Sequence, residues 1–140
     1  VLEDNDFSFK KINQYQNFNQ FEEKYIIVNK VGFLSKLYAQ STITYVGGGF
    51  SKSGIHNIIE PAAASNPVIF GSNFLNSNKS DAEGLIDVSG GFSVDSNELF
   101  TEKINWLLDK NNYNNSSKNC KSFVTENSGS TEKILKELYE

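Results

Sequence analysis

The sequence predicts an α/β fold with a mostly parallel sheet and helices on both of its faces. Short apolar runs alternate with stretches of helical spacing, which is the pattern of strand and crossover helix. The runs are apolar along their length rather than alternating, as strands covered on both faces require. Two consecutive runs end on glycine, at the edge where open α/β sheets bind their ligands.

Each element follows from its residues. Residues 1–23 are polar, with Phe7, Phe9, Ile12, Tyr15, Phe18 and Phe21 spaced at about three, which predicts a loosely amphipathic helix or a docking segment. Tyr-Ile-Ile-Val at 25–28 predicts a buried strand, and Leu34, Leu37 and Tyr38 give helical spacing over 33–40. A second strand over 42–46 runs into Gly47, Gly48 and Gly49. The Ala-rich stretch 56–65 predicts a helix, with Pro61 tolerable only in its first turn. Residues 67–70 form a third strand stopped by Gly71, followed by a polar loop, a short helix over 81–86 and a strand over 91–94.

Ser96 or Asn97 can cap the next helix, whose Leu99, Phe100, Ile104, Leu107 and Leu108 share a face with Trp106 as a packing residue at its edge. The Asn-rich stretch 111–119 is too polar to pack, Phe123 and Val124 continue a helix before Gly129, and a last helix over 131–139 presents Ile134, Leu135 and Leu138.

Composition bounds the function. At 140 residues the chain suits one compact domain with a core of its own. The net charge of -4 argues against nucleic acid as a partner, because phosphate neutralisation needs a basic face. All 13 basic residues are lysine, so a bound anion must be held by Lys, by backbone N–H groups or by a helix N-terminus. A lone Cys120 allows no internal disulfide and has no metal-ligand spacing; a small buried side chain in a reduced, intracellular setting is its expected role. The chain has no Met and opens on Val1, the mark of a cut piece or a processed product, and no segment approaches the ~20 apolar residues of a membrane span.

The chemistry concentrates in residues 45–62, Tyr-Val-Gly-Gly-Gly-Phe-Ser-Lys-Ser-Gly-Ile-His-Asn-Ile-Ile-Glu-Pro-Ala. The loop offers N–H groups and Lys52 to an anion, and the helix that follows points its partially positive end into the same space. Glu60, in the first turn of that helix, can accept hydrogen bonds from sugar hydroxyls. A Walker loop would need Lys where Ile55 stands, a dinucleotide fingerprint from Gly47 would need Gly at Lys52, and a hydrolase elbow at Ser51 lacks its last glycine at Ser53. His56, the sole histidine, reads as a binding or structural residue rather than an acid or base, since no nucleophile precedes it at a known spacing.

The order strand, Gly-Gly-Gly, short loop, Gly54-x-His56-Asn57-x-x-Glu60-Pro61-Ala62, then Pro67-Val68-Ile69-Phe70-Gly71 resembles the carboxyl-terminal domain of the 3-deoxy-D-manno-octulosonic acid (Kdo) transferases, GT-B glycosyltransferases of lipopolysaccharide synthesis. Val31-Gly32-Phe33-Leu34-Ser35-Lys36-Leu37-Tyr38 is similar to the family's Met-Gly-Glu-Leu-x-x-Leu-Tyr, and residues 126–133 to its tail. The resemblance implies a Rossmann-like donor-binding domain over residues 25–140, incomplete at its start and preceded by a poorly defined lead-in over 1–24. It implies that Gly48, Gly49, Phe50, Ser51 and Lys52 lie along the phosphate and sugar of CMP-Kdo. Gly54, His56, Asn57 and Gly71 would complete the donor site, and Glu60 would hold the ribose.

The implied reaction moves Kdo from CMP-Kdo to a hydroxyl of a lipid A precursor, at the cytoplasmic face of the bacterial inner membrane. The catalytic base and the acceptor site belong, in the family, to an amino-terminal domain, so no catalytic residue is expected here and the chain alone should not turn over. Neither cofactor nor metal is implied. The family often carries Pro-His after the third strand's Gly and an aromatic-basic pair after Asn; this chain has Ser72-Asn73 and, after Asn76, Ser77-Asn78. Two alternatives are a GT-B transferase or epimerase using another nucleotide sugar, such as a UDP-sugar, and a non-catalytic module binding a nucleotide or a protein.

Overall fold

A computed structural model of the protein describes residues 9–11, 24–74, 78–129 and 138–139. The chain divides into two compact units, Val1–Lys36 and Leu37–Glu140. In the first, β1 (Phe9–Lys11) pairs in parallel with β2 (Tyr25–Ile27), Phe9 opposite Tyr25. Residues 9–11 are thus a strand and not part of the helix that is one of the two expectations over 1–23; the remainder of that stretch lies outside the described residues. β2 is half-buried rather than buried, since a two-stranded sheet gives it one neighbour. Helix α1 (Leu34–Tyr38) falls where the helical spacing placed it and buries no residue of its own.

The second unit holds the sheet that positions the site. Strands β3 (Thr44–Val46), β4 (Val68–Gly71) and β5 (Gly91–Val94) are all parallel in the order β3-β4-β5. Central β4 is buried along its whole length, which is why its sequence is apolar without alternation. Period-two geometry divides its side chains between two cores. Val68 and Phe70 pack with Val46, Ile55, Ile58, Ala62, Ala82, Leu85 and Cys120; Ile69 packs with Val94, Leu107 and the half-buried Phe92, Leu99, Phe100 and Ile104. Helices α2 (Ile59–Ala63), α3 (Lys79–Asp87) and α5 (Lys110–Asn127) therefore lie on one face and α4 (Asn97–Leu107) on the other. The expected parallel sheet covered on both faces is what forms.

Local chemistry sets the boundaries. The Ser96 hydroxyl caps α4 by accepting the Leu99 N–H at 3.3 Å. Trp106 lies at the edge of that helix's apolar stripe as expected, 39% exposed and tilted against the Phe92 ring at 5.5 Å. Pro61 is the third residue of α2, inside its first turn. Gly71 closes β4 as a member of the strand.

The largest correction falls on residues 111–119. They are not an unpacked polar stretch but the first half of the 18-residue α5, started by Asp109, whose carboxylate accepts the N–H groups of Asn111 and Asn112 at 2.9 and 3.0 Å. Its inner stripe is Tyr113, Ser116, Cys120, Phe123 and Val124, spaced by three and four. Two of those residues are small and only weakly polar, so the stripe is invisible to a count of apolar residues. Of the helix expected over 131–139, Leu138 and Tyr139 are helical and the rest lies outside the described residues.

Candidate functional site

The glycine-rich loop leaves the carboxyl end of β3 and folds back on itself. Gly48 bridges Ile55, the Gly49 N–H donates to the Gly54 carbonyl at 2.7 Å, and the His56 N–H donates to the Gly47 carbonyl at 3.4 Å. A turn closes the tip, with the Gly54 N–H on the Ser51 carbonyl at 3.4 Å. The loop is then pressed onto the end of β4. A Cβ on Gly71 would stand 2.5 Å from the Gly48 oxygen and 2.6 Å from the Gly49 carbonyl carbon, and one on Gly49, at φ 79°, would stand 2.6 Å from the Gly71 oxygen. Glycine is required at both positions because backbone lies against backbone.

Several groups expected to receive an anion are therefore occupied. The amides of Gly49, Gly54 and His56 bond within the loop. The start of α2 is occupied as well: the Asn57 Oδ1 accepts the N–H groups of Ile59 at 2.9 Å and Glu60 at 3.3 Å. With five residues and two capped amides, α2 does not offer the open positive end that the sequence suggested. Asn57 also donates from Nδ2 to the Glu60 Oε1 at 3.2 Å, and Glu60 stands exposed with its carboxylate held from one side. Phe50, Ser51, Lys52, His56 and Asn57 are exposed, whereas Gly49, Gly54 and Gly71 are buried.

Sequence reasoning missed the groups that fix this shape. Asn73 donates its N–H to the Gly49 carbonyl at 2.8 Å and its Nδ2 to the Ser51 carbonyl at 2.7 Å. Asn78, in the left-handed region at φ 62°, donates its Nδ2 to the carbonyls of Ile55 and His56 at 3.4 Å each. Buried Asn66 donates to the Tyr38 carbonyl at 2.7 Å, and the Tyr38 phenol is raised above its ordinary value first by burial and then by the Glu60 charge, so it lies within electrostatic reach of that carboxylate. The only sign of these roles was that asparagine recurs in the loops. Residues 75–77 lie outside the described residues, so the departures at Asn76 and Ser77 carry no structural statement.

A second feature opens at the same edge of the sheet. Tyr45, Phe50, Phe100, Asp95, Ser96 and Asn97 line a cavity of about 460 Å³ between the ends of β3 and β5, with the Tyr45 and Phe100 rings edge to face at 5.5 Å. Of these residues the sequence singled out only Phe50 as a ligand contact. Elsewhere, Cys120 is fully buried, donates to the Gly90 carbonyl at 3.2 Å, and has its thiol pushed up to about 12 by burial, which leaves it without thiolate at neutral pH. Among the described residues no group of three His, Cys, Asp or Glu could hold a metal, and no helix is long and apolar enough to cross a membrane.

No family model matches the chain. A 3-deoxy-D-manno-octulosonic acid transferase of Rickettsia bellii is 32% identical over 114 residues, 79% of this chain and 26% of that protein. One from Chlamydophila psittaci is 35% identical over 85 residues, 60% of this chain and 19% of that protein. The fold agrees: the crystal structure of the C-terminal CMP-Kdo binding domain of WaaA from Acinetobacter baumannii matches with a TM-score of 0.73 at 16% identity, over 88% of this chain and 64% of that one. The resemblance to Kdo transferases stands. A bifunctional glycosyltransferase/methyltransferase of Fusobacterium nucleatum subsp. nucleatum is also 31% identical over 128 residues, 91% of this chain and 19% of that protein. The chain thus spans between 19% and 26% of the length of these curated relatives.

Proposed function

We propose that the chain is the donor-binding part of a glycosyltransferase that transfers Kdo from CMP-Kdo to a lipid A precursor. The observation that carries this reading is the locked loop 48–56 followed by the Asn57 and Glu60 pair, at the carboxyl edge of a parallel sheet. That sheet belongs to a fold shared with a CMP-Kdo binding domain. In this reading Gly48, Gly49, Gly54 and Gly71 shape the floor, and Phe50, Ser51, Lys52, His56 and Asn57 face the phosphate and sugar. Glu60, held on one oxygen by Asn57, turns its remaining acceptor capacity to the ribose hydroxyls.

When the bond from Kdo to the phosphate breaks, CMP leaves with added negative charge. Lys52 and backbone N–H groups stabilise that charge electrostatically, without a metal in this reading. The base that activates the acceptor hydroxyl, the acceptor site and the contact with the cytoplasmic face of the inner membrane are assigned to parts of the full protein outside residues 1–140.

An NMR titration of the chain with CMP, with UMP and AMP as controls, tests the reading. CMP is expected to shift the amides of residues 48–60 selectively, and Glu60→Ala to weaken CMP about tenfold or more, the effect of losing a charge-assisted hydrogen bond. Equal response to UMP would favour another nucleotide sugar. No response to any nucleotide, or an unchanged affinity in Glu60→Ala, would overturn the assignment.

A further inference from the structure

The β4–α3 connection holds the glycine loop by its carbonyl oxygens, and this dictates where the loop's amides point. In a trans peptide the C=O of one residue and the N–H of the next are antiparallel, and the described chain has no cis bond. The Gly49 carbonyl faces the Asn73 N–H, so the Phe50 N–H points away from Asn73. The Ser51 carbonyl faces the Asn73 Nδ2, so the Lys52 N–H points away from it too. Both bonds, at 2.8 and 2.7 Å, are short enough to fix their peptide planes. Among the described residues neither the Phe50 nor the Lys52 N–H donates a hydrogen bond, whereas the amides of Gly49, Gly54 and His56 do. These are two unengaged donors, two residues apart and on the side opposite Asn73, the i and i+2 spacing from which backbone anion nests are built, and Lys52 carries a positive charge.

We infer that Asn73 is a positioning residue that aims the Lys52 amide, and with it the Phe50 amide, at the phosphate of the nucleotide donor. The inference rests on the donor-site reading for the identity of the anion, but the aiming itself does not. Asn73 acts on the two amides by separate means. Its backbone N–H fixes the Gly49 carbonyl and hence Phe50, and its side chain makes the shorter of the two bonds on the Ser51 carbonyl, 2.7 Å against 3.4 Å from the Gly54 N–H, and so sets the direction of the Lys52 amide. A side-chain substitution should therefore release one peptide plane and leave the other in place.

The test is to measure residual dipolar couplings of the N–H bonds in the weakly aligned, unliganded chain, for wild type, Asn73→Asp and Asn73→Ala. Aspartate keeps the shape and loses the donor; alanine loses both without adding charge. The Lys52 coupling is expected to change in both variants while those of Gly49, Phe50 and α5 stay as in wild type. An unchanged Lys52 coupling overturns the inference, and so does a common change at Gly49, Phe50 and Lys52, which would mean general loosening of the loop. A parallel CMP titration should show affinity about tenfold lower in Asn73→Ala, with the Lys52 shift lost and the Glu60 shift retained. Wild type that ignores CMP overturns the donor reading and leaves the coupling result to decide the role of Asn73.

Discussion

Glycine brings segments into close approach both at the carboxyl edge of the sheet and behind it, and the contacts differ in what they touch. At the carboxyl edge of the sheet, Gly71 meets the backbone of Gly48 and Gly49. Behind the sheet, Gly90 meets the sulfur of Cys120 at 2.9 Å from an ideal Cβ, and Gly84 meets the Phe123 ring. Backbone held by hydrogen bonds on both sides has nowhere to go, whereas a side chain can change rotamer or move with its helix. The first contact therefore sets the form of a loop to a fraction of an ångström, and the second sets only how closely α5 approaches. A ligand site needs the first kind of precision and a structural helix tolerates the second.

The difference is sharpest at Gly71. A methyl group there displaces either β4 or the loop, and Gly71→Ala is expected to destabilise the chain by about 3 kcal/mol, the upper range for overpacking a fixed site. A shift of roughly 10 °C in the melting temperature follows for a domain of this size. CMP binding should be lost even where the variant folds, because the loop that moves is the proposed phosphate contact. A fully folded Gly71→Ala variant that binds CMP like wild type would show that the backbone contact at this edge is as forgiving as the one behind the sheet.

Gly90→Ala probes the other contact. The nearest obstacle is the Cys120 sulfur, with the Cys120 backbone nitrogen next at 3.2 Å, so the expected cost is about 1 to 2 kcal/mol, and the sulfur's share of it should fall away when Cys120 is also alanine. A double-mutant cycle by urea unfolding would return a favourable coupling of about 0.5 to 1 kcal/mol between the two sites. Additive costs would place the strain in the contact with the Cys120 backbone and remove the contrast with Gly71. CMP affinity should not change in either variant, since neither residue belongs to the loop.

The same contrast explains what could be read in advance. Hydrophobic pattern and glycine placement reveal strands, their order in the chain and the loop at their end: residues 91–94 were delimited from sequence alone, and β4 was recognised by Val68, Ile69 and Phe70. The site's glycines were legible because a Cβ is excluded at particular backbone positions, a constraint that leaves its mark in residue type. The hydrogen bonds of Asn57, Asn66, Asn73 and Asn78 were not, because the chain is rich in asparagine and nothing in the letter separates a clamp from a solvated amide. α5 was missed for a related reason. Gly90 is approached by the small Cys120, and the buried Ser116 and Cys120 carry little hydrophobic signal.

Ser116 gives the smallest effect and the finest test of that explanation. Its hydroxyl is buried, and among the described residues it has no hydrogen-bond partner, while Cys120, one turn along the same stripe, donates to the Gly90 carbonyl. If size alone suits residue 116 to its place, Ser116→Ala should leave stability within about 0.5 kcal/mol of wild type or raise it by up to about 1 kcal/mol, since it removes a desolvated hydroxyl without opening a cavity. Ser116→Val, which adds volume at the same point, should cost about 1 to 3 kcal/mol. A loss of more than about 1.5 kcal/mol in Ser116→Ala by urea unfolding would instead show that the hydroxyl makes a bond worth having. Polar contacts at both Ser116 and Cys120 would then help to hold the helix, and closeness of packing would no longer be what selects its small residues.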